Sequence, residues 1–325
     1  MDIIINPTNK CNFKCDFCAA SELCKQTLTS KKTISYLKKL ENKYSIGQVI
    51  INGGDPLVMS PDYYEDILKY LETLKHPVSL SLTTNLWAFY KDPDKWVNIL
   101  TNQRVGVITS FQYGTKRKIG NGKVFDEQKF RDVFNLFVDR IGYKPNFIAV
   151  IDKSNEFSVL PTVKLAEKLG IRCKINKAII RGRQKDYYPR YDMFKQYINI
   201  IDNGYRDYEM NIELITSYFT GGHTYCDIDR DCYHHLRVIN PDGLMYTCSY
   251  NAEAGIFKTN LDELDLNKFP ITFNTIKMEC TSCPNCNLCN SCRIYVQEVL
   301  DNNDVENYCK NMKEIIPQLK EKCLK

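Results

Sequence analysis

The sequence predicts an α/β fold: a partial, TIM-like (β/α)6 barrel over residues 1–205, then a loop-rich C-terminal domain over residues 206–325 in which metal replaces much of the core. Three observations lead there. From residue 1 to about 180, short apolar runs alternate six times with helical periodicity. Such alternation implies parallel strands with right-handed crossovers, and six units fall short of the eight that close a barrel. Beyond about residue 205 the alternation stops, and glycines, turn signals and cysteines take over. The chain of 325 residues carries 15 cysteines, gathered into two groups.

Each element follows from its local pattern. Ile3-Ile4-Ile5 reads as the first strand. Residues 33–43 read as a helix, with Ile34, Leu37, Leu40 and Tyr44 at three- and four-residue steps. Val49-Ile50-Ile51 is a buried strand ended by Gly53-Gly54 and Pro56. Pro61 and Asp62 open a helix carrying Tyr64, Ile67, Leu68 and Leu71. Strands follow at 78–82, 105–111, 147–151 and 171–175, and helices at 93–100, 126–139, 159–169 and 191–201. Pro241-Asp242-Gly243, between apolar runs at 236–239 and 244–247, reads as a small hairpin.

Composition excludes several classes. At 43% hydrophobic and 26% charged residues the chain is ordinary for a globular protein, not collagen, coiled coil or long disorder. No apolar run approaches the ~18 residues of a membrane helix, and the first residues are too short and acidic a stretch for a signal peptide. A net charge of +5 is too mild to argue for nucleic acid. A cytoplasmic location is expected, and reduced thiols in tight clusters are there metal ligands more often than bridges. Soft thiolates select zinc or iron–sulfur clusters.

In Cys11-Asn-Phe-Lys-Cys15-Asp-Phe-Cys18, three thiols sit in a loop after the first strand. That spacing lets one loop wrap three irons of a [4Fe–4S] cube and leave the fourth iron open. The alternative is a zinc site with Cys24 as fourth ligand. Cys-x3-Cys-x-aromatic-Cys after the first strand of a partial barrel resembles the radical S-adenosylmethionine (SAM) superfamily. The resemblance implies that the amino and carboxylate groups of SAM chelate the open iron. Reductive cleavage then gives a 5′-deoxyadenosyl radical that abstracts a substrate hydrogen. It also implies a reductase partner such as flavodoxin or ferredoxin. Gly53-Gly54-Asp55-Pro56, after the second strand, resembles the family's Gly-Gly-Glu-Pro, whose backbone and acid hold the SAM amino group. Glycine permits close approach to a ligand there. By the same resemblance Asn85 lies near SAM, Ser110 meets its ribose or methionine moiety, and Phe17 packs by the adenine.

The second group, Cys226-x5-Cys232-x15-Cys248 and Cys280-x2-Cys283-x5-Cys289-x2-Cys292, then Cys309, resembles the SPASM extension of peptide-maturing radical SAM enzymes. The resemblance implies two auxiliary [4Fe–4S] clusters, one on Cys226, Cys232, Cys248 and Cys292, the other on Cys280, Cys283, Cys289 and Cys309. With four cysteines each, they would pass electrons rather than bind substrate. Without the family, two Cys-x2-Cys pairs suggest a zinc ribbon. The extra Cys286 is able to substitute for a neighbour.

Two basic stretches follow strand ends. Lys116-Arg117-Lys118 reads as a solvated charge run. Arg181 and Arg183 are expected to meet the SAM carboxylate, offset cluster charge or receive an anionic substrate. Tyr187, Tyr188 and Tyr191 either grip a substrate or pack under the extension. The resemblance implies a peptide or protein substrate, with oxidative modification or crosslinking in a ribosomal peptide pathway. A chain that begins almost at its first strand is expected to lack a leader-gripping module, so a separate leader-binding protein is a candidate partner. Ser249 stands where sulfatase-maturing members carry an Asp. A small-molecule epimerase or dehydrogenase, for instance on an aminoglycoside, is the second reading, and a zinc-binding interaction protein is the third. An epimerase would need a hydrogen donor, for which Cys24 and Cys173 are the candidate thiols; the oxidative reading needs neither.

Overall fold

The computed structural model describes residues 1–23, 26–222, 224, 235–255, 258–260 and 276–325. The barrel runs β1 (Asp2–Ile5), α1 (Ser30–Glu41), β2 (Gln48–Ile51), α2 (Pro61–Glu72), β3 (Ser79–Thr83), α3 (Trp87–Lys91), α4 (Val97–Leu100), β4 (Val105–Ser110), α5 (Glu127–Ile141), β5 (Asn146–Ile151), α6 (Val159–Leu169), β6 (Cys173–Lys177), α7 (Arg190–Asp202) and α8 (Met210–Phe219). It continues with β7 (Leu236–Ile239), β8 (Leu244–Tyr246), α9 (Ser249–Ala254), β9 (Lys258–Asn260), α10 (Cys286–Cys289), α11 (Arg293–Asp301) and α12 (Val305–Leu324).

Strands β1 to β6 pair in parallel, each with the next, as the alternation predicts. One face carries Ile3, Ile5, Val49, Ile51, Leu80 and Leu82, buried in one core with helix residues such as Leu37, Leu40, Tyr64 and Ile67. Alternate strand residues point to the opposite face, where Ile4 packs with Val238, Tyr246 and Ala252, and the C-terminal strand ends are left for the site.

Three elements differ from the sequence reading. The helix at 93–100 is the single turn α4 behind a Pro93 turn, and α3 precedes it. The Asn85 side chain accepts from the Trp87 backbone N–H at 2.8 Å and so opens α3. Strand β6 starts two residues late, because the Ile171 N–H turns back to Ala166 O at 3.0 Å in closing α6. Helix α8 lies past the expected end of the alternation. Its cap is the Glu209 carboxylate, which accepts from the Ile212 N–H at 2.8 Å and, on its other oxygen, from the Ile175 N–H of β6 at 2.9 Å.

The expected hairpin is present, with Val238 opposite Tyr246 and Ile239 opposite Met245. It is also more than a hairpin: β7 pairs in parallel with β1, so the sheet runs β6-β5-β4-β3-β2-β1-β7-β8-β9. The C-terminal region thus grows from the barrel's own edge. It closes on the other side through α12, which packs on α7 and α8. Tyr187 donates to Asp304 at 2.9 Å and Tyr191 accepts from Asn307 at 2.8 Å, so these tyrosines pack under the extension. No helix among the described residues is long and apolar enough to cross a membrane.

Candidate active site

The C-terminal ends of the six barrel strands open into a cavity of about 310 Å³, reached by Asn6, Asn52, Thr83, Ser110, Val150 and Asn176. Cys11, Cys15 and Cys18 all line it, in the loop that leaves β1. The other loops hold this one. The Gly54 N–H donates to Thr8 O at 2.9 Å and the Asp55 N–H to Lys10 O at 3.0 Å. The N–H groups of Lys14 and Asp16 each reach carbonyls of the β4 loop, Lys118 O and Lys116 O, at 2.8 Å. From the β6 loop, the Arg183 N–H donates to Cys18 O at 3.1 Å and its guanidinium to Cys15 O at 3.3 Å.

The glycines serve this arrangement. A Cβ on Gly54 would stand 2.1 Å from Lys10 O, and one on Gly53, at φ +104°, 2.3 Å from Thr8 O. Both glycines also line the cavity, so their lack of a side chain lets the cysteine loop pack directly behind the turn. Gly182, at φ +56°, does the same on the other side, where a Cβ would lie 2.4 Å from Cys18 O.

Asp55 is buried and accepts from the Leu57 N–H at 2.9 Å, the Thr84 hydroxyl at 3.0 Å and the Asn85 N–H at 2.8 Å. It ties the glycine turn to the end of β3, and burial raises its carboxyl to about 6 against those bonds. The Asn85 amide donates to Asn12 Oδ1 at 2.7 Å and lies 3.8 Å from Cys11 Sγ. Desolvation, with the Asp55 charge second, pushes the Cys11 thiol up to about 12. Such a thiol binds as thiolate only when a metal's positive charge takes the place of its proton.

Arg117 corrects the sequence reading. It is only 6% exposed and lines the cavity. Its guanidinium donates to Ser110 Oγ at 2.9 Å and Gln112 Oε1 at 2.8 Å, and sits 5.2 Å over the Phe17 ring. Burial lowers its pKa, opposed by the three cysteines and Asp55. Its neighbours Lys116 and Lys118 pair with Asp152 and Asp16, each at 2.6 Å. Of the three, Arg117 alone lines the cavity, and its position on the loop after β4 was the available signal. Arg181 donates to Ile180 O at 2.9 Å and lies outside the cavity lining, and Arg183 is occupied with the cysteine loop.

The extension supplies a wall. Ser249 and Tyr250, directly after Cys248, line the cavity. Beside them Lys177, at the end of β6, is buried with Glu298 of α11 at 2.5 Å and lies 4.4 Å over the Tyr295 ring. Cys292 packs with Tyr250, Tyr295 and Ile179, apart from Cys280, Cys283, Cys286, Cys289 and Cys309, which line a second cavity. Cys24, Cys226 and Cys232 lie outside the described residues. Cys173 is not brought to the site: it is fully buried in the core, its thiol donating to Tyr208 O at 3.4 Å.

The donor chemistry fits a cluster with an organic cofactor. Three thiols share the main cavity with Asn6 Oδ1 and Asn52 Oδ1, buried acceptors with no protein partner. Among the described residues no three His, Cys, Asp or Glu side chains converge as on one metal ion; a cube places its thiolates on separate irons. The model of one family, the Radical SAM superfamily, matches residues 5–187, from β1 through the loop beyond β6. The chain belongs to the radical SAM superfamily. Membership brings the SAM-binding [4Fe–4S] cluster and SAM. The solved anSMEcpe with bound AdoMet has a similar fold, with TM-score 0.73 at 18% identity, covering 98% of this chain and 97% of that one. Streptococcus suis SuiB bound to its precursor peptide SuiA aligns with TM-score 0.66 at 19% identity, covering 90% of this chain and 72% of that one. In sequence, the chain is 24% identical over 192 residues to the GTP 3',8-cyclase of Aquifex aeolicus, covering 56% of this chain and 58% of that protein. It is 27% identical over 172 residues to a probable GTP 3',8-cyclase of Saccharolobus solfataricus, covering 52% and 54%. The chain thus spans a little over half the length of these two curated relatives.

Proposed function

We propose that this radical SAM enzyme oxidatively modifies or crosslinks a peptide or protein. One observation carries the reading: Ser249 and Tyr250, next to Cys248, share the cavity of Cys11, Cys15 and Cys18, so the extension forms part of the substrate chamber. The fold likeness to anSMEcpe extends through that region, and SuiB has a peptide bound. Cys11, Cys15 and Cys18 hold the first cluster, which with SAM supplies a hydrogen-abstracting radical. Arg117 offers the SAM carboxylate a buried guanidinium, Asn6 and Asn52 offer acceptors, and Phe17 packs beside the adenine. Asp55 and Asn85 orient the turn around the cofactor. Beyond a boundary near residue 205, Cys226, Cys232, Cys248 and Cys292 hold one auxiliary cluster, and the second thiol-lined cavity holds another. Both serve as electron exits.

The test is anaerobic reconstitution followed by SAM, reduced flavodoxin or ferredoxin, and any short peptides found encoded beside the gene. The expected result is 5′-deoxyadenosine together with a peptide that has lost a hydrogen pair. Turnover of GTP or another small molecule, with none of any peptide, would overturn the reading.

A further inference from the structure

The second cavity gathers more thiols than one cube binds. Cys280, Cys283, Cys286, Cys289 and Cys309 all line it, while Cys292 packs elsewhere, against Tyr250 and Tyr295. A [4Fe–4S] cluster takes four cysteines. Cys286 and Cys289 open and close the single turn α10, three residues apart, so they stand on the same side of that turn. Cys286 is held in place by the buried Asn290, whose amide donates to Cys286 Sγ at 3.6 Å and Cys286 O at 3.0 Å. Asn290 is itself fixed, its Oδ1 accepting from the Ile276 N–H at 3.0 Å.

We infer that Cys286 is an exchange ligand of this cluster site, able to replace Cys289 on the same iron. This rests on the proposed cluster in the second cavity. In the exchange the iron–sulfur bond to Cys289 breaks, one to Cys286 forms, and the proton of the Cys286 thiol passes to the departing Cys289 sulfur. No electron moves, and net charge is unchanged. The two sulfurs have different surroundings: Cys286 receives the Asn290 amide hydrogen bond, whereas the Arg190 guanidinium, bonded to Leu288 O, acts on Cys289. Hydrogen bonds to cluster sulfur and nearby charge both tune the reduction potential. The exchange therefore gives the site a second state with a different potential.

The full chain is reconstituted anaerobically as wild type, Cys286→Ala, Cys289→Ala and the double variant, and iron, circular dichroism and midpoint potentials are measured. The expected result is a wild-type iron content in both single variants, a loss of about four irons in the double variant, and a shifted potential for one auxiliary cluster in Cys289→Ala. Cys289→Ser serves if the alanine variant does not fold. A folded Cys289 variant that loses those irons would overturn the exchange, as would a Cys286→Ala that loses them while Cys289→Ala does not. A wild type with no second auxiliary cluster would overturn it too, and that failure of the underlying reading is visible before any substitution.

Discussion

The cysteine loop after β1 carries three thiols and is hydrogen-bonded by the turns after β2, β4 and β6, whereas the C-terminal region places five thiols around one cavity, four on the single turn α10 and the stretch before it and the fifth, Cys309, on α12. Among the described residues the first loop has no thiol for a fourth iron, and three neighbouring turns hold its backbone. That suits a site whose open position must be kept for a cofactor. The second has a surplus thiol, which suits the proposed cluster that only receives electrons. Rigidity is thus invested where an exogenous ligand must be positioned, and redundancy where only retention of the metal matters.

Removing the thiols tests the contrast most severely. Cys11, Cys15 and Cys18 replaced together by Ala should remove about four of roughly twelve irons and end SAM cleavage, measured by iron assay and 5′-deoxyadenosine release. Gly54→Val comes next. Its side chain would meet Lys10 O, so we expect loss of the first cluster's irons rather than a mere fall in SAM affinity; full iron with weak SAM binding would make the turn a ligand contact alone. Lys177→Met leaves the Glu298 carboxylate buried without its ammonium, a change that costs about 3–5 kcal/mol, read by denaturant unfolding. Arg117→Met should keep all irons but weaken SAM binding roughly ten- to a hundredfold, the range expected for a charge-assisted hydrogen bond.

The last effect concerns Glu209, which ties the N-terminus of α8 to β6. Burial raises the Glu209 carboxyl to about 7, above its ordinary value of 4.5. Between those values the native chain holds a proton that the unfolded chain has released, so this group's contribution to stability falls as pH rises through about 7. Unfolding free energies from pH 5 to 8 should show that decline, and Glu209→Gln should flatten it.

Much of the barrel was legible because each strand is a short apolar run and each helix has its own periodicity. The parallel pairing of β7 with β1 was not, since residues 2–5 and 236–239 meet only through tertiary structure. Helix α8 was hidden by the expectation of a cysteine-rich loop, although Glu209 before Ile212 and Ile215 is a capping signal. In the site, Cys11, Cys15, Cys18 and the glycine turn could be found by spacing. Arg117 was harder to find: between two lysines it resembles solvated charge, its place after β4 is the one hint, and burial against Ser110, Gln112 and Phe17 sets it apart. Arg181 and Arg183 show the reverse case, since a basic loop after a strand end can serve the fold as readily as a ligand.

The central claim is that the first cysteine loop and the extension enclose one SAM-dependent cavity. Electron paramagnetic resonance of the reduced, reconstituted chain with and without SAM tests it most directly. The account predicts that SAM shifts the signal of one cluster and leaves the others unchanged, and that the shift disappears when Cys11, Cys15 and Cys18 are replaced. A spectrum that SAM does not alter, or a colourless protein loaded with zinc, would contradict it.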